Sequence, residues 1–463
     1  MSLIQPSSSA SARRRPGALR TGPAGLGVLV LVAMATLVAP TVLAAAAEVG
    51  YRDFYYGDTL TLNNSAANVT VDETQAKLWH NDGRWWGGLF NNGDAKYHVY
   101  RLDIATQTWI DTGTALDDRD SSRADILWSG NNKLYVASTT ASKTSGALRV
   151  YRYSYDSVSK TYSKDGGFPV TLVQPAGLPK GATSVSIARD STGQLWVTWM
   201  QRLGTIPEST RVYVAHSTGT DASWSAGAEL PGQGTSALAQ GVSGIVSFGN
   251  GANAAVGVLW SREVSPSSSA TDNGFFFSSH LDSADDTTGW SAPELAYGGA
   301  YAADNHLSLA TDTSGRVLAA VKTGKSADPG PNGSDPEIAV LRRTAPDTWE
   351  THKVTSVSDR KTTKPFIVVD SLNGQANVFF VRPESGQSTL NPRIVYRKQA
   401  SLTDLAFATG LGVAIIKNTT DYYLNDPTST KQKVSGIGIV VLASDTKTHY
   451  YLHGCIGSAC AGP

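Results

Sequence analysis

The chain has 463 residues and carries 39 Lys+Arg against 39 Asp+Glu, a formal net charge of zero. That balance argues against a nucleic-acid-binding protein and against one held on a membrane by bulk charge. High Gly (45), 11 Trp and 18 Tyr beside only 3 Met describe many short strands, tight turns and aromatic packing, so composition reads as all-β.

The first element in chain order is a leader. A basic stretch with Arg13, Arg14 and Arg15 precedes an apolar run from Gly25 to Leu43 and an Ala cluster, Ala44 to Ala47. This order predicts a signal peptide over residues 1–47 and a secreted, extracellular protein that meets a membrane only through this segment during export. The apolar run is also long enough to span a bilayer as an anchor, but Pro40 and the small-residue tail favour cleavage. Arg13-Arg14 leaves the Sec and twin-arginine export routes both open. Residues 48–463 are expected to form a single domain.

Seven hairpins recur about every sixty residues: AKLWHNDGRWWGGLF from Ala76, RADILWSGNNKLYVAS from Arg123, SVSIARDSTGQLWVTW from Ser184, VSGIVSFGNGANAAVGVLW from Val242, NHLSLATDTSGRVLAAV from Asn305, KPFIVVDSLNGQANVFFV from Lys364 and KVSGIGIVVLASD from Lys433. Each sets Gly, Asn or Asp between two β-prone runs. Most are followed by a third strand such as RVYRYSYD or EIAVLRR, then a polar turn closing on an aromatic residue, at Trp109, Tyr162, Trp224, Trp290, Trp349 and Phe407. An outer strand such as WIDTGTAL completes the unit. Four antiparallel strands repeated radially make a seven-bladed β-propeller, with a six-bladed ring as the alternative. The seventh unit runs out after about three strands, so RDFYYGD or TLTLNN near the start is free to supply the fourth and close the ring. Cys455 and Cys460, the only cysteines, are expected to form a local disulfide that staples the last strand.

The turns DASWSAGAEL and TTGWSAPELA resemble degenerate Asp-boxes, the Ser-x-Asp-x-Gly-x-x-Trp turns of sialidase-like BNR-repeat propellers. ADNHLSLATDTSGRVLAAV, Ala303 to Val321, is similar to a strand pair of BNR-repeat propellers that include polysaccharide lyases. The resemblance spans residues 48–463 as architecture and implies a carbohydrate-active propeller. Asp-boxes lie on outer turns, so it is specific for fold and says little of chemistry. The Phe-Arg-Ile-Pro motif of true sialidases is absent from the sequence, so activity on sialosides is not implied.

In a propeller the functional residues come from the starts of the innermost strands and the loops between blades. The candidates for substrate binding are Lys77, His80, Arg123, Arg360, Lys364 and Lys433, with Lys431 beside the last. If they converge, the pocket favours an anionic ligand such as a uronate, sialate or sulfated sugar. The candidates for catalysis are His306, Asp304, Asp125 and Tyr301. An imidazole titrates near neutral pH and suits proton transfer, and Asp117, Asp118, Asp120 and Glu263 are the other acids near the predicted site. Trp85, Trp86, Trp199 and Trp260 on second strands read as core between blades.

Three functions remain open: a secreted enzyme that cleaves an acidic or plant-type polysaccharide, as hydrolase or lyase, a non-catalytic glycan-binding propeller, and a protein-interaction scaffold, since fold does not dictate function. The inner-strand starts differ from unit to unit, which favours one asymmetric centre over a repeated lectin pocket. No cofactor is expected; a structural calcium ion at Asp282–Asp286 or Asp328–Pro336 is the one metal considered, without a recognised ligand spacing. The expected partner is a polysaccharide or glycan, not nucleic acid, and the protein is expected to be a monomer.

Overall fold

Asn81 pairs with Arg84 across Asp82-Gly83, whose φ angles are both positive, +52° and +67°. Such a turn matches the right-handed twist of a strand pair, and Asp and Gly tolerate it. It opens a four-stranded antiparallel sheet of Leu78–Asn81, Arg84–Asn91, Lys96–Asp103 and Thr108–Ala115, blade 1. The computed structural model describes residues 48–460 apart from 59–60, 63–64, 67–68, 71–73, 120–121, 141–146, 173–181, 204–208, 238–240, 268–270, 287, 360 and 385–391. The leader expected over residues 1–47 lies outside the described residues.

Blades 2 to 7 repeat the pattern, with first strands Ser122–Trp128, Ala182–Arg189, Ser243–Phe248, Leu307–Thr311, Thr363–Asp370 and Leu424–Thr428. Successive first strands touch, and the Leu78 N–H donates to the Ser429 carbonyl at 3.0 Å, joining blade 1 to blade 7. The protein is a seven-bladed β-propeller. Its upper face carries the starts of the first strands, and its lower face carries the hairpins between first and second strands.

Six hairpins stand where the sequence put them; the seventh does not. Its first strand is Leu424–Thr428, and Ile439–Asp445 is the second strand, so Lys433 to Gly438 belong to the connection between them. LNDPT reads as a turn because it holds Asn, Asp and Pro. An innermost strand is a sheet edge, where Pro427 removes no ladder bond that a neighbour needs.

Ring closure follows the expectation for RDFYYGD: Tyr51–Tyr55 pairs antiparallel with Tyr450–Ile456 as the outer strand of blade 7. Asp53 accepts from His453 Nδ1 at 2.7 Å, and His453 Nε2 meets Gln107 Oε1 of blade 1 at 3.0 Å. Both Asp53 and His453 are buried. Burial pushes the Asp53 carboxyl up, while the charge and hydrogen bond of His453 oppose that rise. Cys455 and Cys460 form the expected disulfide.

Blades are covered on both faces, so their middle strands are almost continuously buried. Leu318, Ala320, Ile338 and Val340 of blade 5 pack on Ile367, Val369, Val378 and Phe380 of blade 6. Trp85, Trp86, Trp199 and Trp260 are at most 2% exposed and belong to this core, where large aromatic side chains contribute the most apolar area.

Candidate functional site

The axis of the ring is closed. From blade 1, Thr74 Oγ1 reaches the Ser243 carbonyl and Gln75 Nε2 the Val185 carbonyl, both at 3.5 Å. From the lower face, Lys431 Nζ donates to Asp125, to Ser186 Oγ at 3.0 Å and to the Ile187 carbonyl at 3.0 Å. Between them Gly244, Ile245, Ser308 and Phe366 leave about the space of one water molecule.

This plug accounts for several sequence candidates. Asp125 is fully buried and accepts the backbone N–H of Ala76 at 2.9 Å and of Ile187 at 2.8 Å besides Lys431. Lys77 is buried, its ammonium donating to Gln75 Oε1 at 3.0 Å and to the Ala124 carbonyl. Lys364 pairs with Asp426 of blade 7 at 2.8 Å, and Arg123 is half-buried opposite Thr139. His80 lies toward the lower face, its backbone bracketed by the Gln432 carboxamide and its ring edge-on to Trp85; burial pushes its pKa down. Lys433 is exposed on the same lower face, and Arg360 lies outside the described residues. The basic side chains that the sequence suggested as one anionic pocket are therefore not brought together. Each of the described ones is held within or between blades, or stands on the far face. Asp117 and Asp118 are tied to Arg119, Arg149 and Tyr151 beside blade 2, and Asp120 is outside the described residues.

A different group does converge, on the upper face at blade 5. The loop after the outer strand of blade 4 carries Tyr301 and Asp304, and His306 precedes the first strand of blade 5. Tyr301 has a φ of +55°, and its N–H is held by the Pro266 carbonyl at 2.7 Å. Asp304 is mostly buried and uses both oxygens: Oδ1 takes His306 Nδ1 and Oδ2 takes Lys322 Nζ, each at 2.5 Å. Burial pushes the Asp304 carboxyl up, but the hydrogen bonds and charges of His306 and Lys322 outweigh it and hold the group below its usual value. Glu263, at the end of the second strand of blade 4, moves the other way: burial raises it, and the charge of Asp304 adds to the rise. Glu337 is raised by burial against the bonds it accepts from Thr362, N–H at 3.2 Å and Oγ1 at 3.0 Å. Gly324 lets the backbone pass, since a Cβ there would lie 2.6 Å from the Ala303 carbonyl oxygen.

Lys322 and Glu337 were not among the sequence candidates, yet strand counting finds them. Leu307 pairs with Val321, so the next rung sets His306 against Lys322, whose N–H donates to the His306 carbonyl at 3.1 Å. One strand further out, the Thr323 N–H donates to the Glu337 carbonyl at 2.9 Å. The group offers a carboxylate-anchored imidazole whose Nε2 is itself buried, an ammonium and an acid with a raised pKa, residue types that serve proton transfer beside an anion.

Of the two acidic runs considered for calcium, Asp282–Asp286 holds neighbouring groups instead. Asp282 accepts the Ser191 N–H at 2.9 Å and Asp286 accepts Gln194 Nε2 at 2.9 Å, bracing blade 4 against blade 3. Among the described residues no three His, Cys, Asp or Glu side chains are arranged to hold a metal ion.

No protein-family model matches the sequence, and no curated protein matches it. Among solved structures, an ulvan lyase from a new polysaccharide lyase family superposes with a TM-score of 0.52 at 11% identity, covering 89% of this chain and 96% of that one. The same type of enzyme bound to -[GlcA(1-4)Rha3S]- gives 0.50 at 10% identity, covering 88% and 96%. A Trypanosoma rangeli sialidase is a looser likeness, 0.42 at 10% identity over 82% of this chain and 59% of its own. At such identities the likeness is one of fold, and these solved neighbours are carbohydrate-active propellers.

Proposed function

We propose that the chain is a secreted, carbohydrate-active propeller of the sialidase-like BNR-repeat kind that cleaves an acidic polysaccharide at the upper face of blade 5, by β-elimination at a uronate. The observation that carries this reading is the Asp304 carboxylate holding His306 Nδ1 with Lys322 on its other oxygen. An imidazole whose Nδ1–H is fixed on a carboxylate carries its basic lone pair on Nε2. In the reaction His306 takes the proton from the carbon beside the uronate carboxyl. That electron pair forms a carbon–carbon double bond while the glycosidic carbon–oxygen bond breaks, and the departing oxygen takes a proton. Lys322 offsets charge at the uronate carboxylate. Glu263, whose raised pKa favours its protonated form, is the donor assigned to the leaving oxygen.

Hydrolysis is the second reading, favoured by Glu263 being raised and Asp304 lowered, a pairing that separates an acid from a base. Secretion is supported by the basic-apolar-alanine order of residues 1–47 and by a disulfide, which persists in oxidising compartments. The test is incubation with acidic and neutral polysaccharides, following reducing ends and the ultraviolet absorbance of an unsaturated uronate, for wild type and His306→Ala. Absorbing product lost in the variant supports elimination; reducing ends without absorbance support hydrolysis. Binding without turnover on any polysaccharide replaces both readings with a lectin.

A further inference from the structure

Between blades 6 and 7, at the lower face, the packing of blade on blade opens into a crevice of about 390 Å³, within the size range of small-ligand clefts. Blade 6 lines it with Asp370, Asn377, Arg397 and Gln399, and on blade 7 Gly438 and Gly457 present backbone. Asn377 pairs with Gln399 and Phe379 with Arg397 across the second and third strands, so alternation sends the three polar side chains out of one face of the sheet.

Two of these groups lack partners. Asn377 is only 3% exposed, yet its carboxamide bonds to no described residue. Arg397 Nε is buried and unbonded, and no described carboxylate forms an ion pair with the guanidinium; burial alone pushes its pKa down. Asp370, the acid in the lining, accepts the N–H groups of Leu372 and Asn373 at 3.1 Å and Asn373 Nδ2 at 2.6 Å. Of these polar atoms only Arg397 Nε is both buried and unbonded; the rest of the guanidinium and the Asn377 carboxamide open to the crevice, where an anion and sugar hydroxyls can replace water. The opposite wall is preset. The disulfide Cys455–Cys460 closes the loop that carries Gly457, and that loop packs so tightly on Gly438 that a Cβ there would lie 2.4 Å from the Ala459 nitrogen.

We infer that this crevice is a second saccharide site, separate from Asp304 and His306, that takes one anionic sugar unit, its carboxylate or sulfate on Arg397 and its hydroxyls on Asn377 and Gln399. The site holds substrate without cutting it and does not depend on the chemistry proposed at blade 5.

The test is calorimetric titration of the folded chain with glucuronate, galacturonate and a sulfated glucose, using glucose and inorganic sulfate as controls. Wild type is expected to bind an anionic sugar. Arg397→Gln and Asn377→Ala are expected to weaken it by about tenfold or more, with Arg397→Lys intermediate and all melting temperatures near that of wild type. Undiminished binding in Arg397→Gln overturns the site; should that variant fail to fold, undiminished binding in Asn377→Ala does so. Inorganic sulfate binding as tightly as the sulfated sugar reduces it to a simple anion site and overturns the saccharide assignment. Binding lost in His306→Ala but kept in Arg397→Gln moves the ligand to blade 5 and also overturns it. Cleavage is scored separately in the same variants, so the two readings fail independently.

Discussion

Asp304 and His306 stand two residues apart and meet through one bond, carboxylate to Nδ1 at 2.5 Å, while Lys322 holds the other carboxylate oxygen. The imidazole cannot turn without breaking that bond, and the carboxylate cannot move without leaving the ammonium. His306→Ala is therefore expected to lower turnover by about 10²–10⁴-fold, the usual contribution of a general base. Asp304→Asn keeps the shape but not the charge, and should lower kcat with less effect on KM. Steady-state kinetics of the two variants on one polysaccharide checks this.

The same bond sets a pH dependence. Asp304 is held below the unfolded carboxyl value of about 3.9. A depressed carboxyl contributes stability that is present above its unfolded pKa and is lost as pH falls through its folded value. Wild type should thus lose stability on acidification below about pH 4 more steeply than Asp304→Asn. Glu263 is raised by burial and in part by the Asp304 charge, so in Asp304→Asn its carboxyl should titrate lower than in wild type. Carboxyl-carbon NMR titration reads both shifts.

The ring was legible because its signal is periodic and local: hairpins such as HNDGRWW carry their turn residues between β-prone runs, and RDFYYGD is a spare strand beside a short last blade. LNDPT escaped because turn-like residues are tolerated on an edge strand facing the axis. The members of the candidate site were legible in part. His306, Asp304, Tyr301 and Glu263 stand out by residue type at loop positions, whereas Lys77, Lys364 and Asp125 look alike in sequence and differ only in what lies across the ring. Lys77 meets Ala124, Lys364 meets Asp426 and Asp125 meets Lys431, contacts that pattern reading does not reach. Lys322 needed only the strand register counted one rung past Leu307.

Asp125 joins blades 1, 2, 3 and 7 through Ala76, Ile187 and Lys431. Asp125→Ala strands a partly buried ammonium and two backbone N–H groups, and is expected to cost about 3–5 kcal/mol of stability. Urea denaturation measures the loss, with turnover per folded molecule unchanged. Lost turnover at unchanged stability would instead place Asp125 in the chemistry.

Ring closure rests on His453, bonded to Asp53 on one nitrogen and Gln107 on the other. His453→Ala leaves the Asp53 carboxylate buried without its partner and is expected to cost about 3 kcal/mol or more. Amide exchange should speed up first along Tyr51–Tyr55 and Tyr450–Ile456, where opening the ring begins. Uniform acceleration across all blades would mean that closure is not the weak seam.

The most direct test of elimination at His306 is digestion of an acidic polysaccharide in water enriched in heavy oxygen, with mass spectrometry of the new chain ends. The account predicts unsaturated ends free of the label, absent with His306→Ala. Saturated ends that carry the heavy oxygen, or unsaturated ends formed as fast without His306, would contradict it.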